Sequence, residues 1–172
     1  MTSLAAPASN LQRNSALFLT FGMAAVVGAA LGFEHIGHYI PCKLCLGQRI
    51  PYYIGVPVMA FAAISATLRW PPVLTRVLLL AGGLIMAWSL FLAVRHSGVE
   101  WGWWAGPTDC GAVAAPPADT GGKGVLDAID AYVPPACDKA ALRVLGLSFA
   151  GWNAVASLIL ALVAFRGAFS RG

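Results

Sequence analysis

Four cysteines carry the most reactive chemistry in this chain, and their spacing divides them into two unlike sets. Cys42 and Cys45 form a Cys-x-x-Cys in Pro41-Cys42-Lys43-Leu44-Cys45. Cys110 and Cys137 flank a stretch rich in Pro, Gly, Ala and Asp, including Ala115-Pro116-Pro117 and Thr120-Gly121-Gly122. A Cys-x-x-Cys disulfide closes too short a loop to remove much unfolded-state entropy, so it is a weak staple. Its value is chemical. Two thiols so close form and break a disulfide with little backbone motion, and a helix N-terminus stabilises a thiolate there. If a helix begins near Pro41 or Cys42, residues 42, 45 and 49 share one face, with Arg49 a turn above Cys45. Arg49 alone reads as an arginine snorkelling to headgroups; beside the cysteine pair, support of a thiolate or a bound cofactor is the better reading.

The second set has a stronger structural reading. A Cys110–Cys137 bridge closes about 26 residues, nominally worth about 3 to 4 kcal/mol as a staple. The same bridge in a loop with little core of its own is also open to exchange with a soluble thiol protein. Four cysteines allow three pairings, and spacing leaves the choice open, with the sequence-near pairing as the default. His35 and His38 border the first pair and His96 follows the third apolar run, where each reads as an interfacial polar residue or as a group suited to proton work.

The elements that position these residues belong to a membrane. The 172 residues are 59% hydrophobic and 10% charged, with a mean hydropathy of +0.74; soluble domains carry about 25% charged residues. Apolar runs extend from about Ala16 to Phe33, Ile50 to Leu68, Val77 to Val94 and Leu145 to Phe165. Each approaches the roughly 20 residues a helix needs to cross the hydrocarbon layer, and backbone in lipid must satisfy its own hydrogen bonds. The expected architecture is an all-α four-transmembrane-helix bundle forming a single membrane domain over residues 1–172. A soluble bundle is excluded because too little polar surface remains to cover four such helices. Pro51 is expected in the first turn of the second helix and Pro57 is expected to kink it. The tryptophans of Gly98-Val99-Glu100-Trp101-Gly102-Trp103-Trp104 suit the headgroup region, as an anchor for the long loop or as a plain aromatic belt. The net charge of +4 does not point to nucleic acid, because the basic residues do not cluster.

Charge also orients the spans. The N-terminal arm, the link between spans two and three, and the tail carry Arg13, Arg69, Arg76, Arg166 and Arg171 and no acidic residue. All seven acidic residues lie on the other side. The positive-inside rule therefore makes both termini cytoplasmic and turns the cysteine loops, about 34–49 and 95–144, outward. In a bacterial inner membrane that side is the oxidising periplasm. The first span shares features with a signal peptide, but no convincing cleavage site precedes a soluble domain, so it is read as retained.

Pro41-Cys42-Lys43-Leu44-Cys45-Leu46-Gly47-Gln48-Arg49 resembles the DsbB signature, Pro-Cys-x-Leu-Cys-x-x-Gln-Arg. Gly98-Val99-Glu100-Trp101-Gly102 through Gly106-Pro107 and Cys110 resembles the second-loop motif of many members. Gly146-Leu147-Ser148 through Gly151-Trp152-Asn153 resembles the start of the family's fourth helix. The resemblance implies a membrane thiol:quinone oxidoreductase holding ubiquinone or menaquinone near the outer face. It implies Cys42–Cys45 as the quinone-facing pair, with Cys45 contacting the ring, Arg49 supporting quinone and thiolate, and His96 loosely matching a histidine near the quinone. Cys110–Cys137 would exchange with a periplasmic thioredoxin-fold partner of the DsbA type, through Cys110. Three rivals remain beside it. One is a four-helix enzyme of the vitamin K epoxide reductase type running electrons in the opposite direction, which the outer start of helix two followed by Gln-Arg disfavours. Another is a zinc site on the four cysteines, disfavoured because Cys110 and Cys137 are not closely spaced. The third is a non-enzymatic membrane protein with two structural disulfides.

Overall fold

The computed structural model describes residues 8–107 and 137–170. Four long helices dominate them: α1 (Asn10–His35), α2 (Lys43–Thr67), α3 (Pro72–Glu100) and α4 (Phe149–Phe169). All four are long and apolar enough to cross a membrane. A two-stranded antiparallel hairpin, β1 (Arg143–Val144) and β2 (Leu147–Ser148), precedes α4. Its turn residues, Leu145 and Gly146, both have positive φ, as a tight two-residue hairpin connection requires.

Each helix starts where a local group satisfies its first N–H donors. Ser9 caps α1 in a reciprocal box with Gln12, and Ser148 caps α4 by accepting from Gly151 N at 3.1 Å. Pro72 occupies the first turn of α3, where its missing N–H costs nothing. At α2 the cap is Cys42 itself, extended at φ −76° and ψ 169°, with its sulfur accepting from Cys45 N at 3.4 Å.

That cap shifts the start of α2 earlier than the apolar run beginning near Ile50. Cys45 and Arg49 lie in the first two turns of the helix instead of in the loop. Pro51 stands in the third turn, not the first, and α2 continues through both Pro51 and Pro57. α1 and α3 also overrun their apolar runs at both ends, because a helix persists into the polar interface as long as its backbone donors are met. α4 overruns only at its C-terminal end and starts at Phe149, four residues after the expected Leu145, because residues 145–148 are taken up by the hairpin. The 29 residues of α3 exceed the roughly 20 that cross the hydrocarbon, so its last turns reach His96 and Glu100.

The core is a seam of Leu19, Met23, Met59, Leu79, Met86 and Leu160, with small residues between them. Lipid tails are as apolar as these side chains, so close van der Waals fit drives association more than burial from water does. α3 packs most extensively on α4, then α2 on α3 and α1 on α2. Gly82 and Gly83 permit the approach: a Cβ there would sit 2.5 Å from Met59 Cε and 2.7 Å from Phe165 Cε1. The outward faces keep Phe21, Leu84, Phe91 and Leu162 exposed, as a lipid-facing surface demands.

Topology then sorts the chemistry. The C-terminal ends of α1 and α3 meet the N-terminal ends of α2 and α4 at one end of the bundle, which carries Cys42, Cys45, His96 and Glu100. The opposite end carries Arg13, Arg69, Arg76 and Arg166.

Candidate functional site: a dithiol between a polar chain and an apolar cavity

Capping by Cys42 places its sulfur 3.0 Å from that of Cys45, with Cys42 as donor. The Cys42 thiol is pushed up to about 12, first by this bond to Cys45 and then by burial, with His96 pulling the other way. Cys42 is buried and Cys45 half-buried, so the two sulfurs face different surroundings.

On the Cys42 side, His96 Nε2 approaches the sulfur at 3.8 Å, and Gln48 Nε2 stands 2.6 Å from His96 Nδ1. Gln48 Oε1 accepts from Asn153 Nδ2 at 2.6 Å, and Asn153 Oδ1 accepts from the Tyr52 hydroxyl at 2.6 Å. Tyr52 OH meets Ser157 Oγ at 3.0 Å, which meets Ser89 Oγ at 2.8 Å. This chain ties α2, α3 and α4 together through groups that would be costly to bury unpaired. It also has a direction. Gln48 Nε2 faces the Leu44 carbonyl at 3.5 Å, which selects the amide edge as donor toward His96. His96 Nδ1 then accepts, and the ring proton sits on Nε2, aimed at Cys42 and Glu100. Glu100 Oε1 is 3.8 Å from that nitrogen, and its side chain is as buried as that of His96.

On the Cys45 side lies a cavity of about 450 Å³. Its walls are apolar, from Val26, Ala30 and Phe33 of α1 and Phe149 and Ala156 of α4. Polar groups converge at one place on the lining: Cys45, Gln48, Arg49, Tyr52 and Asn153. Positions 45, 48, 49 and 52 share a helical face by their three- and four-residue spacing. Arg49 bonds Glu34, also on the cavity wall, through a close ion pair. Cys42 and His96 are not among the lining residues, so His96 meets the pair through Cys42 and the cavity meets it through Cys45.

Cys137 is buried and near enough to Cys45 to interact with it electrostatically, which brings a second-loop cysteine to the first pair. Cys110 lies outside the described residues. Gln48, Asn153 and Glu100 were visible in the sequence only as motif letters, and Glu34, Tyr52, Ser89 and Ser157 carried no signal that named them. The tryptophan segment turns back on α3: Trp104 Nε1 donates to Arg95 O at 2.7 Å over Gly98.

The candidate site is thus a dithiol held between a hydrogen-bonded chain and an apolar cavity, at one end of a bundle of four helices long and apolar enough to cross a membrane. The family model described as disulfide bond formation protein DsbB matches residues 12–166, and the chain belongs to the DsbB family. Membership makes it a multi-pass membrane protein with an oxidoreductase role in disulfide formation. An uncharacterized protein of Rickettsia prowazekii (strain Madrid E) is 26% identical over 128 residues, covering 74% of this chain and 70% of that protein. No solved structure matches the chain.

Proposed function

We propose that the protein is an inner-membrane disulfide oxidase that reoxidises a periplasmic DsbA-like thiol protein and delivers the electrons to a membrane quinone. The observation that carries the proposal is Cys45 on the wall of an apolar cavity while bonded to Cys42 at 3.0 Å. The cavity is of the size that holds small-molecule ligands, about 300–1,000 Å³. Its lining fits a ring with carbonyl oxygens on a prenyl tail: donors at one place, hydrocarbon elsewhere. A bound quinone supplies a two-electron, two-proton acceptor.

The chain's own residues do the rest. The partner's thiolate attacks the Cys110–Cys137 disulfide at Cys110 and releases Cys137. The partner's second thiol then closes the partner's own disulfide and releases Cys110, and the two freed thiols reduce Cys42–Cys45 by exchange. Burial of Cys137 beside Cys45 supports the handover between the two pairs. Oxidation of the Cys42–Cys45 dithiol then gives up two electrons and two protons as the disulfide forms. Cys45, at the cavity wall, faces the acceptor. Cys42 keeps its proton until late, and His96 is the polar group beside it. Arg49 and the second amide N–H of Asn153 orient the acceptor's oxygens, with Glu34 fixing the guanidinium and Gln48 and Tyr52 holding Asn153 in place.

The loops are periplasmic and the termini cytoplasmic on this reading, supported by the arginines at the opposite end of the bundle. The test is thiol counting after reduced protein is mixed with a short-chain soluble quinone without oxygen. Two thiols per chain should disappear in Cys110→Ser, which keeps the inner pair, and none from the inner pair of Cys45→Ser. Equal loss of thiols in Cys45→Ser would remove Cys45 from the role.

A further inference from the structure

The same dithiol has a second chemistry. Cys42 Sγ, Cys45 Sγ and a ring nitrogen of His96 all lie within 4.8 Å of one another, with Nε2 at 3.8 Å from Cys42 Sγ. Glu100, one turn beyond His96 on α3, brings Oε1 to 3.8 Å from Nε2. Its Oε2 is buried and has no hydrogen-bond partner among the described residues. A buried carboxylate oxygen left unpaired is costly, and it is the kind of group a cation satisfies.

The distances among Cys42, Cys45 and His96 approach those of a tetrahedral centre, and Glu100, outside that 4.8 Å group, completes it by swinging its carboxylate toward the sulfurs. With Zn–S near 2.3 Å and Zn–N near 2.0–2.1 Å, two sulfurs sit about 3.8 Å apart and sulfur and nitrogen about 3.6 Å apart. His96 Nε2 is already 3.8 Å from Cys42 Sγ. The sulfurs, at 3.0 Å, need to part by about 0.8 Å, within reach of a small side-chain rotation. A cation on Nε2 moves the ring proton to Nδ1, so the Gln48 amide must turn its oxygen to that nitrogen, giving up the bond from Asn153, to become the outer partner that fixes a metal-ligating ring.

We propose that the reduced site binds one thiophilic divalent cation, with zinc as the representative ion, through Cys42, Cys45, His96 and the Glu100 carboxylate. This is a different donor set from four cysteines, because it needs neither member of the second pair. It goes beyond the oxidase reading and does not depend on a quinone. Binding displaces one proton from each thiol and oxidises nothing. The disulfide form offers no thiolate, so the ion holds the pair reduced and idle until a chelator removes it.

The experiment uses full-length protein in detergent, reduced, loaded with zinc and challenged with a chromogenic chelator. The dithiol form should retain one zinc per chain and the disulfide form none. Zinc X-ray absorption should show two sulfurs and two light atoms. His96→Ala and Glu100→Gln should each weaken binding at least tenfold. Failure of the reduced protein to retain zinc overturns the proposal, as does full retention in Cys42→Ser or a four-sulfur shell. Should a variant not fold, wild type alone decides. Cadmium must then give thiolate charge-transfer absorption in the dithiol form and none in the disulfide form, and the opposite result refutes the site. These readouts measure metal only, so this proposal and the oxidase reading fail separately.

Discussion

Replacing Gln48 with leucine tests the polar chain at its centre. Leucine nearly conserves volume, so little cavity penalty enters. It removes two bonds of 2.6 Å, one to His96 Nδ1 and one from Asn153 Nδ2. In a water-soluble core, orphaning two buried groups would cost about 2 to 6 kcal/mol. In a bilayer the separated helices find other partners, and interhelical bonds average about 0.6 kcal/mol with a ceiling near 1.7. The membrane value governs here, giving a loss of about 1 kcal/mol and no more than about 3.4. Detergent unfolding of wild type and Gln48→Leu measures this directly. The same pair of proteins tests the direction of the chain. With ¹⁵N-labelled histidine, His96 in wild type should show its proton on Nε2, and Gln48→Leu should release the tautomer preference. Wild-type protein with the His96 proton on Nδ1 would refute the reasoning, because the amide would then be turned away from the Leu44 carbonyl's preference.

Other consequences follow from the same geometry. Alkylation of reduced protein should label Cys45 before Cys42, because the Cys42 thiol is pushed up to about 12, first by its bond to Cys45 and then by burial; Cys42 labelled first, or at an equal rate, would contradict this. Gly98→Ala should unseat Trp104, since a Cβ would lie 2.1 Å from its ring, whereas Gly32→Ala, with nothing within 4 Å, should leave the protein unchanged. Tryptophan fluorescence and limited proteolysis read both. Arg49→Met should leave Glu34 unpaired on the cavity wall and weaken affinity for a short-chain quinone, and the double variant with Glu34→Gln should regain stability but not affinity. Unchanged affinity in Arg49→Met would remove Arg49 from the cavity's function.

The four spans were legible because lipid imposes a length of apolar sequence that nothing else in the chain imitates. Their ends were not, because hydropathy marks where the hydrocarbon stops, not where backbone donors stop being satisfied. Lys43 and Glu100 are polar and still helical, since Cys42 caps one helix and the last turns of α3 continue into the interface. Cys45 and Arg49 on one face followed from spacing alone, and Gln48 and Tyr52 obey the same rule. Their partners did not follow. Asn153, Ser157 and Ser89 reach them only through the packing of α2, α3 and α4, and Glu34 meets Arg49 across two helices. Glu100 read as a motif letter before α3 carried it, buried, to His96.

The most direct test is quinol formation by purified protein supplied with a reduced DsbA-like protein and a quinone, in wild type and Cys45→Ser. The account predicts one quinol per partner disulfide in wild type and none in the variant. Wild-type protein that forms no quinol with both disulfides intact and accessible would contradict it.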